Sequence, residues 1–184
     1  GETAIGLIDA SDNSISIQSA TDWYTGAIAY ITTAFNDTQN FVTAAFMQTS
    51  DSDGYVRGFD VNSSGGFTES SSNTKYEDST IRSARQKIFY AKDVVGTNDR
   101  IVVAYADDGD SDNGKVTAGY ASGTSDYVFN LTATFNAAAT GDVGAAYIGS
   151  GKFVVAYRDG GNSNHGYARV GTFNSNIDDI NFGT

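Results

Sequence analysis

Three short apolar runs recur along the chain: Val42-Thr43-Ala44-Ala45-Phe46, Ile101-Val102-Val103-Ala104-Tyr105 and Phe153-Val154-Val155-Ala156-Tyr157. Apart from one threonine they have no polar side. A strand of that kind is covered on both faces, as a middle strand in stacked sheets is. A polar loop follows each run, containing TSDSDG, DDGDSDNG and DGGNSNHG, and closes on Gly54, Gly114 or Gly166. Asp, Asn, Ser and Gly supply left-handed backbone and local side-chain turns, so these loops read as hairpin connections. A second strand follows: Tyr55 to Phe59, Lys115 to Tyr120, and Tyr167 to Phe173. In the last, Tyr167, Arg169 and Gly171 alternate with Ala168, Val170 and Thr172, the period of a half-exposed strand.

Upstream of each apolar run lies another short segment: Gly26 to Tyr30, Lys87 to Ala91, and Val143 to Tyr147. Small residues dominate two of them, which permits close approach of neighbouring sheets. A weaker strand, Phe129 to Phe135, precedes the third. Four strands per unit joined by hairpins is the count of a propeller blade. The pattern therefore predicts an all-β, β-propeller-like fold of about three four-stranded blades. The units run over 15–62, 63–122 and 123–173 in a single repeat domain, 1–184, with partial units at both ends.

Thr3 to Ala10 resembles the strand at Thr117 to Ser122, and Asn181 to Thr184 resembles the opening strand at Phe129 to Thr132. The termini are thus out of phase with the repeat. Three blades are too few to close a ring, since rings have about four to eight. The chain is expected to be a piece of a longer chain or part of a symmetric assembly, a reading its start at Gly1 and single methionine, Met47, also suggests. The spacing drifts from 59 residues (Phe46 to Tyr105) to 52 (Tyr105 to Tyr157). The excess falls in the Ser-, Gly- and Thr-rich stretch from Ser63 to Arg85, expected to be an exposed loop.

The segments FVVAYRDGGNSNHGYARVGTF and IVVAYADDGDSDNGKVTAGYAS resemble tandem repeats of large structural proteins of phage virions and marine bacteria. In those a VVAY strand, a D/G/N/S turn and a GxAxV strand recur. The first copy departs from the pattern, with AAFMQ in place of VAYAD or VAYRD and a turn one residue shorter. The resemblance implies a virion or cell-surface structural role, of tail, fibre or capsid-decoration type.

Composition narrows the functional classes. Apolar residues make up 40% of the chain and aromatics 12%, enough for a core. The net charge of −11 repels phosphate backbones, so nucleic acid is not an expected partner. No 18-residue apolar span exists, so membrane insertion is not expected. The chain has no cysteine, hence no disulfide and no thiolate metal site.

Asp108, Asp110 and Asp112 are the candidate ligands for calcium, because alternating carboxylates on a tight loop can converge on a hard cation. The competing reading is an acidic turn, favoured because Asn162 and Asn164 replace the alternating acids in the third loop. The only histidine, His165, has no triad or zinc partner and reads as a turn residue. Adjacent acids such as Asp107-Asp108 and Asp178-Asp179 point apart and give no support to glycoside hydrolysis. Trp23 and Tyr24 look exposed beside Asp22, which suits a glycan contact; an inter-blade packing anchor is the stronger reading. Three sequons, at Asn36, Asn62 and Asn130, are expected by chance in such a composition.

The expectation is a non-enzymatic structural or adhesion module on a virion surface or otherwise extracellular, partnered by copies of itself or neighbouring structural proteins. The alternatives are a carbohydrate-binding, lectin-like propeller with a surface glycan as partner and, behind it, a glycosidase-type fragment.

Overall fold

The computed structural model describes residues 2–3, 6–8, 15–17, 20–62, 66–70, 72–92, 94, 99–122, 126–174 and 179–183. Residues 4–5, 9–10, 63–64, 178 and 184, which carry parts of the terminal resemblances, one sequon and one acidic pair, lie outside them. The described residues are all-β, with antiparallel sheets and no α-helix; one 3-10 turn spans Asp108–Asp110. Four short strands, β1 (Glu2–Thr3), β2 (Gly6–Ile8), β3 (Ile15–Ile17) and β4 (Thr21–Asp22), pair β1 with β4 and β2 with β3.

A five-stranded sheet follows, made of β5 (Ile28–Asn36), β6 (Phe41–Gln48), β7 (Gly54–Val61), β8 (Phe67–Glu69) and β9 (Thr74–Glu77). Both β8 and β9 pair with β7. The described residues between Ser63 and Arg85, a stretch expected as an exposed loop, are therefore largely strand. Tyr76 and Ile81 within it are buried.

A seven-stranded path comprises β10 (Ile81–Ala91), β11 (Arg100–Asp107), β12 (Asn113–Ser122), β13 (Asp126–Gly149), β14 (Lys152–Asp159), β15 (His165–Phe173) and β16 (Ile180–Phe182). β13 is 24 residues long and serves two neighbours with separate halves. Asp126 to Ala139 pair with β12, and Thr140 to Gly149 pair with β14. Asp142, with φ of 48°, marks the change of direction, beside a register shift between Gly141 and Gly144. The path thus has an inner limb (β10, β11, β12 and the first half of β13) and an outer limb (the second half of β13, β14, β15 and β16). Phe129 to Phe135, expected to open a unit, instead closes the inner limb.

The limbs fold face to face. One apolar cluster joins Val102, Ala104, Val116 and Ala118 of the inner limb to Phe153, Val155 and Tyr157 of the outer. A second joins Ile101, Val103 and Tyr105, on the opposite side of β11, to Ala45 and Val56 of the five-stranded sheet. A third covers the far side of that sheet, where Trp23 meets Ala44, Phe46 and Phe59. Period-two alternation in each apolar strand explains this order. Large residues at alternate positions point one way along the stack, and small ones point the other. Rings knit the layers: Phe89 and Phe153 lie 5.5 Å apart, Phe135 and Tyr157 5.0 Å. Such pairs contribute roughly 0.5–1.5 kcal/mol each beyond the area they bury.

The two hairpins of the limbs share one register. Ile101 faces Gly119, Ala104 faces Val116 and Tyr105 faces Lys115; 52 residues on, the spacing of Tyr105 and Tyr157, Phe153 faces Gly171, Ala156 faces Ala168 and Tyr157 faces Tyr167.

Candidate functional site

The carboxylates expected to gather on calcium are arranged for other work. Ser111 and Asp112 have φ of 56° and 61°, and 52 residues later Ser163 and Asn164 have φ of 54° and 61°. Two consecutive left-handed residues favour Asp and Asn for backbone reasons alone. That explains why Asn stands in the third loop where the second has Asp. Asp110 forms an ion pair with Lys115 Nζ at 2.8 Å, and Asp108 is exposed in the 3-10 turn, where its N–H donates to Thr80 O at 2.8 Å. Among the described residues no three His, Cys, Asp or Glu side chains are grouped to hold a metal ion.

The carboxylate that does organise this end of the stack is Asp107, 2% exposed. It accepts from Lys115 Nζ at 2.7 Å and from Ser79 Oγ at 2.6 Å. The same hydroxyl lies 3.1 Å from Glu77 Oε1, and Glu77 accepts from the Tyr105 hydroxyl. The network ties β9, β11 and β12 together across the sheet boundary. Burial would lower the Lys115 pKa, but the carboxylates of Asp107 and Asp110 outweigh it and the net shift is upward. Lys115 in turn holds Asp110 below the ordinary carboxylate value. Sequence reading missed this site because Asp107 sits at a strand end, where spacing says nothing of lysines eight residues on.

Trp23 is 4% exposed, as the packing reading expects and the exposed, glycan-contacting one does not. Its ring meets Phe46 at 5.1 Å and Phe59 at 5.4 Å, both edge-on, so it is a packing anchor. Tyr24 is half-buried, 6.0 Å from Phe46. A sugar has no open indole face to stack on here. Between the five-stranded sheet and the inner limb, Thr43 Oγ1 lies 2.5 Å from the Tyr90 hydroxyl and 2.6 Å from that of Tyr127. This buried trio of hydroxyls replaces the valine found at the equivalent position of the other two apolar runs. Burial raises the pKa of both tyrosines.

The far side of the outer limb is an uncovered apolar surface. Val170 is 41% exposed and Ile148 55%; Ala146, Ala156 and Ala168 are exposed beside them. A shallow trough of about 600 Å³ crosses this side, bounded by Asp142, Arg158 and Tyr167. Arg158 is held in place by Asp142 at 2.6 Å and Asn164 at 2.5 Å. Exposed apolar patches rimmed by polar groups mark interaction surfaces in soluble proteins.

No family model and no curated protein matches the chain. No helix of the described residues is long and apolar enough to cross a membrane.

Proposed function

We propose that this chain is a non-enzymatic structural or adhesion module of an extracellular or virion assembly, and that its sheets are four-stranded blades of a propeller-like stack of about three. The observation that carries the reading is the repeated stacking rule. Each apolar strand turns its larger residues onto one neighbouring layer, and β6 and β11 turn their smaller ones onto the next, so the recurring chemistry of the sequence serves sheet-to-sheet contact. The charged residues of the loops are turned inward on each other, Asp107 and Asp110 on Lys115, and Asp53 and Asp78 on Lys75. Such loops brace layers. Copies of itself or neighbouring structural proteins are its partners, and the uncovered side of the outer limb gives the module one place to meet a neighbour.

The test is isolation of the chain from its native source without denaturation, followed by native mass measurement and cross-linking. Recovery within a larger particle, cross-linked to structural neighbours, is expected. Recovery as a free-standing monomer would overturn the reading.

A further inference from the structure

We propose that the uncovered side and edge of the outer limb receive one further β-sheet of this same repeat, seated by its large-residue side. This rests on the stacked-module reading above and names the partner of that surface.

Three observations define the occupant. First, Val102, Ala104, Val116 and Ala118 of the inner limb are fully buried beneath Phe153, Val155 and Tyr157. The residues in the same register of the outer limb are Val154, Ala156, Ala168 and Val170, and none of them is buried. Second, β12 is paired along its whole length by β13, from Asn113 to Ser122. β15 is paired by β16 only at Gly171 to Phe173, so among the described residues its edge from His165 to Arg169 has no strand beside it. Third, a methyl group built on Gly54 would lie 2.4 Å from the Tyr76 ring, and one on Gly114 would lie 2.4 Å from that of Phe135. Each ring comes from the strand closing that sheet. A methyl group built on Gly166, the matching glycine of the outer limb, would meet nothing within 4 Å.

The missing partner therefore brings a strand to the β15 edge, an aromatic ring over Gly166, and an apolar-x-Val-x-Tyr strand onto Val154, Ala156, Ala168 and Val170. Edge pairing and face packing act together, as they do between the limbs. A whole second copy does not offer this surface, since its three large-residue sides are covered by Trp23, the five-stranded sheet and the inner limb.

The experiment joins a second copy of residues 130–183 after Phe182, because Phe129 and Phe182 face Gly119 and Gly171 at equivalent positions. Ala168→Cys supplies one thiol in a chain that has no cysteine. In the 184-residue chain the thiol is expected to react with a maleimide at the rate of a free thiol. In the extended chain it is expected to react at least about 100-fold more slowly, as a site that opens only by local unfolding does. Equal rates in the two chains, with the added strand content present by circular dichroism, would overturn the proposal. So would protection in the 184-residue chain accompanied by a doubled mass, which would make a second copy the occupant. Should the added segment fail to fold, a peptide of residues 130–142 added to the 184-residue chain tests the edge alone. Slower modification supports the proposal and an unchanged rate at saturating peptide overturns it. None of these outcomes depends on where the native chain is found, so this inference and the proposed function can fail separately.

Discussion

β11 and β14 carry nearly the same residues, Ile-Val-Val-Ala-Tyr and Phe-Val-Val-Ala-Tyr, and pair with their hairpin partners in the same register. Their environments differ. In β11 every residue from Ile101 to Asp107 is buried; in β14 only Phe153, Val155 and Tyr157 are. Burial here belongs to a strand's place in the stack, and local sequence cannot report it. The alternation tells which residues share a side, and the neighbouring layer decides whether that side is dry.

Substitutions at matched positions break or sharpen this contrast. The largest effect is expected from Ala104→Asp, which puts an unpaired carboxylate into the closed interface and should cost more than about 4 kcal/mol, enough to unfold the chain. Ala156→Asp, the same change in the outer limb, should stay within about 0.5 kcal/mol. Urea denaturation of both reads the difference, and equal costs would remove the contrast. A smaller effect is expected inside the other interface. Thr43→Val restores the valine of the other strands but takes one hydrogen bond from each of the Tyr90 and Tyr127 hydroxyls, which still bond each other, at about 0.5–1.5 kcal/mol. A neutral or stabilising result would mean that the hydroxyl trio contributes nothing beyond its packing.

The pH dependence is gentler and falls on the alkaline side. Burial raises the pKa of Tyr76, Tyr90, Tyr105 and Tyr127 above the ordinary 10.0, and the carboxylates around Lys115 raise that lysine above 10.5. Raised values in the folded state mean a contribution fully present below the unfolded values and lost as the pH climbs past them. Stability should be flat from neutral pH to about pH 9.5 and fall beyond it. Tyrosinate absorbance should rise in two stages, the second coinciding with unfolding. Asp110 acts at the other end, losing its contribution as the pH drops below 3.8, and Lys115→Met should flatten that acid limb and remove the lysine's own share of the alkaline one. A single-stage tyrosinate titration would contradict the buried assignments.

The strands themselves were legible because alternation and short apolar runs report covered faces directly. The stretch from Ser63 to Arg85 was not, since Phe67–Glu69 and Thr74–Glu77 are strands by virtue of the β7 edge they pair with rather than of their own composition. Trp23 looked exposed because its chain neighbours are polar; its burial comes from Phe46 and Phe59, more than twenty residues away. The acidic loop looked like a cation site by carboxylate spacing. The left-handed backbone at Ser111 and Asp112, with Lys115 beside Asp110, accounts for the same residues. The uncovered side of the outer limb was invisible for the reason given by β11 and β14: identical alternation precedes both outcomes.

The most direct test of the stacking account is thiol modification at matched positions in the 184-residue chain, comparing Val116→Cys with Ala168→Cys. The account predicts that the first reacts only at the rate of unfolding, while the second reacts as a free thiol. Equal rates at the two positions would contradict it.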